Sequence, residues 1–248
     1  MGLVDGKVAI VTGGGRGIGA RYCRGLASEG ARVMVADIYE AGAQQVARDI
    51  GGSSIHVDVA NEGSVRAMVD TTLRTFGRVD ALINNAAIFT ELMPRKAFDA
   101  ISVEDWDRVM SVNVRGCWLC ARAVAPLFRQ QRSGVIVNIS SGTIFNGTDG
   151  FAHYVTSKAA VWGMARVLAR ELGPYGVRVN SITPGLTSSE MVQEVYPAEM
   201  LAARAQARVF QREEQPEDLV GTVVFLCSDA SAFTTGQTFN VDGGAHFH

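Results

Sequence analysis

Lys7-Val-Ala-Ile-Val-Thr12, followed by Gly13-Gly-Gly-Arg-Gly-Ile-Gly-Ala20, is the stretch whose reading decides the fold. A short run of apolar, β-branched residues reads as a buried strand, the glycines as a tight turn, and residues 18–29 as the first helix. The same alternation then repeats. Arg32-Val-Met-Val-Ala-Asp37, Ser54-Ile-His-Val-Asp58, Val79-Asp-Ala-Leu-Ile-Asn84, Gly134-Val-Ile-Val-Asn-Ile-Ser140, Val177-Arg-Val-Asn-Ser-Ile182 and Gln237-Thr-Phe-Asn-Val241 read as further strands. Helical periodicity fills the stretches near 40–49, 62–76, 103–130, 153–173 and 216–228. Near-continuous apolar strands separated by helices predict an α/β fold, a parallel sheet covered on both faces.

The chain has 248 residues. That is close to the limit of one hydrophobic core, which at this size buries roughly 70–75% of the unfolded surface. No Pro/Ser-rich linker, charge block or internal repeat interrupts the alternation, and all six prolines follow residue 93. A single domain spanning 1–248 is expected. Residues 186–212 stand apart, because Leu186-Thr-Ser-Ser-Glu-Met191 leads into a helix-prone stretch after Pro197 with no strand of its own. This insertion reads either as a lid facing the substrate or as a plain surface helix.

Composition narrows the function. Hydrophobic residues make up 47% and charged residues 19%, and the net charge is −2, so a basic face for nucleic acid or anionic membrane is not expected. No window offers about 18 uninterrupted apolar residues, which argues against a membrane span. Met1-Gly-Leu-Val-Asp-Gly6 lacks a basic and then apolar leader, and Gly6 stands where a myristoylation signal requires Ser or Thr, so a cytoplasmic location is expected. The four cysteines are too few and scattered for a disulfide scaffold. Cys117-Trp-Leu-Cys120 is formally CxxC, but it lies in a helical apolar pattern without a second pair, so helix packing is expected and no metal site.

The glycine turn carries the first chemical signal. Between a strand and a helix, glycines let backbone N–H groups and the helix N-terminus approach a pyrophosphate. Gly15, Gly17 and Ala20 satisfy G-x-G-x-x-A, while Gly13, Gly17 and Gly19 form an equally good G-x-x-x-G-x-G set. Asp37 closes the second strand, where an acidic side chain can bond both ribose hydroxyls of an adenosine and repel a 2′-phosphate. Arg16 pulls the other way, since its guanidinium could pair with that phosphate. NAD is favoured over NADP, because Asp37 would occupy the phosphate's position whereas Arg16 can swing to solvent.

The second signal is Ser141 with Tyr154 and Lys158. The latter two are i and i+4 at the start of a helix, so they project from one face. A phenol with a pKa of about 10 is a poor base at neutral pH, and a neighbouring ammonium favours the phenolate. Ser141, at the end of the preceding strand, could hold a substrate oxygen beside that phenol.

In these residues and their spacing the chain resembles the short-chain dehydrogenase/reductase family over essentially its whole length. The resemblance rests on Thr12 to Gly19, Asp58-Val59, Asn84-Asn-Ala-Ala87, Asn113, Ser141, Tyr154-Val-Thr-Ser-Lys158, Pro184-Gly185 and Gly236-Gln-Thr-Phe-Asn-Val-Asp-Gly-Gly244. Asn84-Asn-Ala-Ala87 departs from the usual Asn-Asn-Ala-Gly by one methyl. Ser189 stands where the family usually has Thr, with Thr187 nearby, leaving open which hydroxyl meets a cofactor carboxamide.

The resemblance implies a Rossmann fold with seven parallel strands, doubly wound, and a catalytic tetrad of Asn113, Ser141, Tyr154 and Lys158. Asn113 would hold a water linking Lys158 to solvent, and Lys158 would also bind the nicotinamide ribose. Tyr154 would be the acid/base and Ser141 the orienting donor. Gly13, Gly15, Arg16, Gly17, Ile18 and Gly19 would cradle the dinucleotide, with Asp37 on its ribose. Asp58 and Val59 would flank the adenine, Asn84 to Ala86 would line the nucleotide side, and Pro184, Gly185 and Thr187 would hold the nicotinamide. The implied reaction moves a hydride between NAD and a secondary alcohol or ketone. The implied assembly is a homotetramer or homodimer through the helices bearing Trp118 and Trp162.

Weaker signals remain. His153 adjoins Tyr154 but points about 100° away, so an indirect or surface role is expected. His56 in its strand is expected to be packed, and His246 and His248 to form a frayed tail or an interface. Thr143, Ile144, Phe145, Met191 and Tyr196 are candidates for a pocket fitting a hydrophobic, ring-bearing substrate. The alternative within the family is a reductase of 3-oxoacyl thioesters, its carrier protein met by Arg129 and Arg132. An alternative of another class is a non-catalytic dinucleotide-binding regulator, which would have no use for a low-pKa phenol.

Overall fold

The computed structural model describes residues 2–247. Seven strands, β1 (Val8–Thr12), β2 (Arg32–Asp37), β3 (Ser53–His56), β4 (Ala81–Asn84), β5 (Gly134–Ile139), β6 (Val177–Pro184) and β7 (Thr238–Val241), form one sheet. Its order is β3-β2-β1-β4-β5-β6-β7, and every neighbouring pair is parallel. This is the doubly wound Rossmann sheet of the expected fold class, in a single domain.

Helices α1 (Gly17–Ser28), α2 (Glu40–Ile50), α3 (Glu62–Phe76), α4 (Val103–Met110), α5 (Cys117–Gln131), α6 (Thr143–Asn146), α7 (Ala152–Leu172), α8 (Glu190–Val195), α9 (Ala198–Gln206) and α10 (Val220–Cys227) complete the chain with short 3₁₀ turns. Successive strand residues face opposite sides of the pleat. Val11, Ile83 and Val137 meet α1, α2 and α10 through Tyr22, Leu26, Val46, Val223 and Leu226. Ile10, Leu82 and Ile136 meet α3, α5 and α7 through Met68, Val124, Phe128, Ala165 and Leu172. Both faces are therefore covered, which is why the strands are apolar on both sides.

Strand β1 pairs with β2 on one side and β4 on the other, so the loops leaving β1 and β4 diverge. In open parallel sheets that divergence makes a crevice beyond the carboxyl ends of the strands. The stretch 103–130, expected as one helical run, contains α4, a π-helical turn over Ser111–Gly116, and α5. Wide turns of this kind re-aim a side chain without ending the helix, and here Asn113 is turned into the interior, 2% exposed.

Residues 186–212 carry α8 and α9 and a small apolar nucleus of their own, Val192, Tyr196 and Leu201, with Phe89, Met93 and Leu186 packed on it. One expectation needs correction: His56 is exposed, because β3 is the outermost strand of the sheet. Of the two roles open to His153, the structure leaves the indirect one, since the side chain is buried, and burial holds its imidazole below the usual range. His248 lies outside the described residues. Cys23, Cys117, Cys120 and Cys227 are all buried free thiols on α1, α5 and α10. Among the described residues no helix is long and apolar enough to cross a membrane, and no group of three or more His, Cys, Asp or Glu could hold a metal.

Candidate active site

A cleft of about 690 Å³ opens at the carboxyl ends of β1, β4, β5 and β6. One end is built by the glycine turn. Gly13 has φ +65°, and a Cβ there would lie 2.9 Å from both Ala86 Cα and Asn85 Nδ2, so only glycine lets the loops after β1 and β4 touch. At Gly15 a Cβ would come within 3.0 Å of Asp37 Oδ2. Thr12 Oγ1 accepts from the backbone N–H groups of Asn85 and Ala86 at 3.1 and 3.2 Å, pinning that loop over the end of the sheet.

Asp37 is fixed in place. Its Oδ2 accepts from Gly15 N and its Oδ1 from Tyr39 N, both at 2.8 Å. The carboxylate lines the cleft with Gly13, Arg16, Gly17, Ile18 and Gly19. Arg16 is 3.5 Å from Glu91 and lies 5.9 Å from the centroid of the Tyr39 ring, so its guanidinium already has partners. Gly17 N, the first N–H of α1, donates to Glu190 Oε1 at 2.8 Å. A carboxylate at that end of a helix is favoured by the unpaired N–H groups and the macrodipole. A glycine-lined cradle, an adjoining helix N-terminus and an anchored carboxylate fit a dinucleotide.

The other end gathers Ser141, Tyr154 and Lys158, all buried and all lining the cleft. Ser140 Oγ donates to Lys158 O at 2.8 Å, tying the loop after β5 to α7. Tyr154 bonds to the Ser141 side chain, which lowers its pKa, yet burial outweighs this and raises the phenol well above its ordinary range. Lys158 Nζ donates to Ile139 O at 2.9 Å and lies 5.7 Å from the Tyr154 ring centroid. Burial pushes this ammonium down to about 8. The expectation that Lys158 lowers Tyr154 by direct attraction is therefore corrected: burial and the Ser141 bond, not the ammonium, set the phenol. Desolvation disfavours both charged forms, and the ammonium sits over the ring face.

Around Tyr154 the walls are aromatic. Phe89 is 4.9 Å from its ring centroid and 6.3 Å from that of Tyr196, and Phe151 stands 6.1 Å from Tyr154 and 5.8 Å from Phe89, so the three rings form one cluster. Of the expected pocket residues, Thr143, Met191 and Tyr196 line the cleft, and Ile144 and Phe145 do not. Phe145 instead faces His246, with ring centroids 6.2 Å apart. Phe89, Phe151 and His246 were missed. Topology held the signal for Phe89, since any loop leaving β4 beside the strand-order reversal must border the crevice. Phe151 sits three residues before Tyr154, at the entry to the same helix.

Asp58, Val59, Ala86, Pro184, Gly185 and Thr187 also line the cleft. Gly15, Asn84 and Asn113 stand behind it. Asn84 Nδ2 donates to Asn138 Oδ1 at 3.0 Å, bridging β4 and β5. Asn113 Oδ1 accepts from Ile88 N at 2.8 Å and its Nδ2 donates to Ser157 Oγ at 3.0 Å. Asn84, Asn113 and Lys158 share a small internal space of about 10 Å³, the room one water needs. Arg129 and Arg132 flank Tyr175, their guanidinium carbons 5.5 and 5.4 Å from its ring centroid. That puts them at the amino ends of β5 and β6, the edge of this chain opposite its own cleft.

Sequence comparison agrees with this geometry. A family model described as Enoyl-(Acyl carrier protein) reductase matches residues 13–246, and the chain belongs to the short-chain dehydrogenase/reductase family of oxidoreductases, which use a nicotinamide cofactor. It is 39% identical over 250 residues to cyclopentanol dehydrogenase of Comamonas sp. (strain NCIMB 9872), covering 98% of each chain. It is 39% identical over 251 residues to 3-oxoacyl-[acyl-carrier-protein] reductase of Synechocystis sp., again covering 98% of each. Identity is 36% over 245 residues to 3-alpha-(or 20-beta)-hydroxysteroid dehydrogenase of Mycobacterium tuberculosis, covering 98% of this chain and 90% of that one.

Proposed function

We propose that this protein moves a hydride between NAD(H) and a hydrophobic, ring-bearing secondary alcohol or ketone, with Tyr154 as general acid/base. The observation that carries the reading is the placement of a buried Tyr154 between Ser141 and the rings of Phe89 and Phe151 in one cleft with Asp37. The relatives named for cyclopentanol and for hydroxysteroids are consistent with a cyclic substrate.

The residues divide the work. Phe89, Phe151 and Tyr196 take an apolar ring out of water, which stabilises binding by about 25 cal/mol per Å² buried. Ser141 and Tyr154 hold the substrate oxygen, and Tyr154 gives it a proton in reduction or removes one in oxidation. Lys158 binds the nicotinamide ribose, and the small space it shares with Asn113 holds the water through which the proton reaches solvent. When bound, the nicotinamide would supply or accept the hydride, and in its oxidised form it would add a positive charge to the cleft.

Asp37 favours NAD, because its lone pairs suit ribose hydroxyls and repel a 2′-phosphate, and the pairing of Arg16 with Glu91 leaves that guanidinium engaged. Ser189 and Thr187 both line the cleft, at the end this reading gives to the nicotinamide. Residues 186–212 act as a lid, with Tyr196 and Met191 on the substrate. The apolar side chains that α4, α5 and α7 leave outward, Trp106, Trp118 and Val167, form the contact of a homodimer or homotetramer. The test is the change in NADH absorbance with cyclic secondary alcohols and ketones, run beside straight-chain 3-oxoacyl thioesters. Faster turnover of the thioesters would replace this substrate class, and no turnover of either would leave a dinucleotide-binding regulator.

A further inference from the structure

Away from Tyr154 and Lys158, a second set of buried charges touches the cleft. Arg208, just beyond α9, and Glu214, before α10, have side chains only 4% exposed and pair at 3.4 Å. Desolvating both partners offsets much of their attraction, so such a pair is weak evidence of stability in itself. What it bonds to is more informative. Glu214 Oε1 accepts the Thr187 hydroxyl at 2.7 Å and Oε2 accepts Gly185 N–H at 3.1 Å. Arg208 Nη2 donates to Leu186 O at 2.8 Å, and Ser188 N donates to Glu214 O at 2.7 Å. Each of the four residues 185–188 is thus held by Arg208 or Glu214.

The pair also forms a partition. Gly185, Leu186, Thr187 and Arg208 line the cleft, while Glu214 and Arg208 line a separate cavity of about 520 Å³ on the other side. A Cβ on Gly185 would come 3.0 Å from Asp242 Cβ and 3.1 Å from Arg208 Nη2, so the close approach depends on glycine. A hydroxyl has one proton and two lone pairs. With its proton committed to Glu214, Thr187 offers the cleft an acceptor.

We infer that Glu214, braced by Arg208, is a positioning residue that fixes the Thr187 hydroxyl as a hydrogen-bond acceptor for the nicotinamide carboxamide. This rests on the reading that Pro184 to Thr187 faces the nicotinamide. It also gives Thr187 and Ser189 different roles, because only Thr187 is oriented by a buried carboxylate.

The experiment compares NADH with ADP-ribose, which keeps the adenosine diphosphate and lacks the nicotinamide. Dissociation constants are measured by calorimetry on the full-length wild type, Thr187→Val, Thr187→Ser and Glu214→Gln. Thr187→Val and Glu214→Gln should weaken NADH by about 10-fold, or about 1.4 kcal/mol, and move ADP-ribose by less than about 2-fold. Thr187→Ser should keep most of the NADH affinity. Equal losses for both ligands, or no loss for either, overturn the inference. If Glu214→Gln fails to fold, Thr187→Val decides, since it leaves the ion pair intact. A wild type that binds ADP-ribose no better than free adenine would instead overturn the dinucleotide reading itself.

Discussion

Lys158 Nζ lies over the face of the Tyr154 ring, 5.7 Å from its centroid, while its proton goes to Ile139 O at 2.9 Å. The phenol is therefore held in its neutral form, pushed up by burial with only the Ser141 bond opposing. A neutral phenol suits proton donation, and a phenolate suits proton removal. Ketone reduction should hold its rate from about pH 6 to pH 8, whereas alcohol oxidation should climb steadily toward about pH 10, the ordinary range of a phenol. Initial velocities in both directions across that range check this, and an oxidation rate already flat below pH 8 would contradict it.

Removing the phenolic oxygen separates chemistry from binding. Tyr154→Phe should keep NADH affinity close to that of the wild type and lower kcat by at least about 10²-fold, the low end for general acid–base catalysis. Stopped-flow turnover and NADH titration on the same sample measure the two quantities. Near-normal turnover in the variant would refute the role given to Tyr154.

Cofactor choice should follow the charge at the end of β2. The wild type should have a higher kcat/KM with NAD(H) than with NADP(H), and Asp37→Ser should narrow or reverse the ratio by about 10-fold or more, the scale of one lost charge–charge repulsion. A wild type that prefers NADPH would show that Arg16 leaves Glu91 for the phosphate.

Glu214 gives a stability prediction with a definite sign. Burial pushes its carboxyl up to about 7 despite the Thr187 bond and the Arg208 charge. The folded chain then holds this proton more tightly than the unfolded chain, so the contribution is complete below about pH 4.5 and declines as pH rises toward 7. Denaturation midpoints should show Glu214→Gln gaining on the wild type by on the order of 1–3 kcal/mol between about pH 5 and pH 7.5. A difference independent of pH would place the titration elsewhere.

Trp118 on α5 is 45% exposed and Val167 on α7 is 54% exposed. Large apolar side chains left exposed on two helices suit the proposed partner surface. Trp118→Glu should lower the sedimenting mass of the assembly at micromolar concentration while leaving the far-ultraviolet dichroism unchanged. A wild type that is already monomeric would remove the proposed interface.

Much of the architecture was readable because most strands carry their own apolar run and the first turn carries its glycines. The sequence of elements, the parallel sheet and the glycine cradle follow from local patterns alone. Ser141, Tyr154 and Lys158 were also readable, since two are one helical turn apart and the third follows closely on a strand. What escaped depends on distant contacts. The π turn that buries Asn113 leaves no mark in a periodicity of 3.6, and the meeting of Arg208 and Glu214 with residues 185–188 is made across separate loops. The distance of Arg129 and Arg132 from the cleft of their own chain also escaped, because basic residues have no direction until the strand ends are known. The opposing electrostatics of Tyr154 and Lys158 escaped because spacing reveals neighbours and not how much water remains around them.

The buried thiols have a practical consequence. Cys117 and Cys227 are pushed up to about 12, and Cys23 and Cys120 are raised as well, in each case by burial. At neutral pH the folded chain should present no reactive sulfur, so alkylation can proceed only as fast as α1, α5 or α10 comes away from the sheet. The four sulfurs become built-in clocks for opening on each side of the molecule. A single cysteine introduced at the surface would take a spectroscopic label without competition.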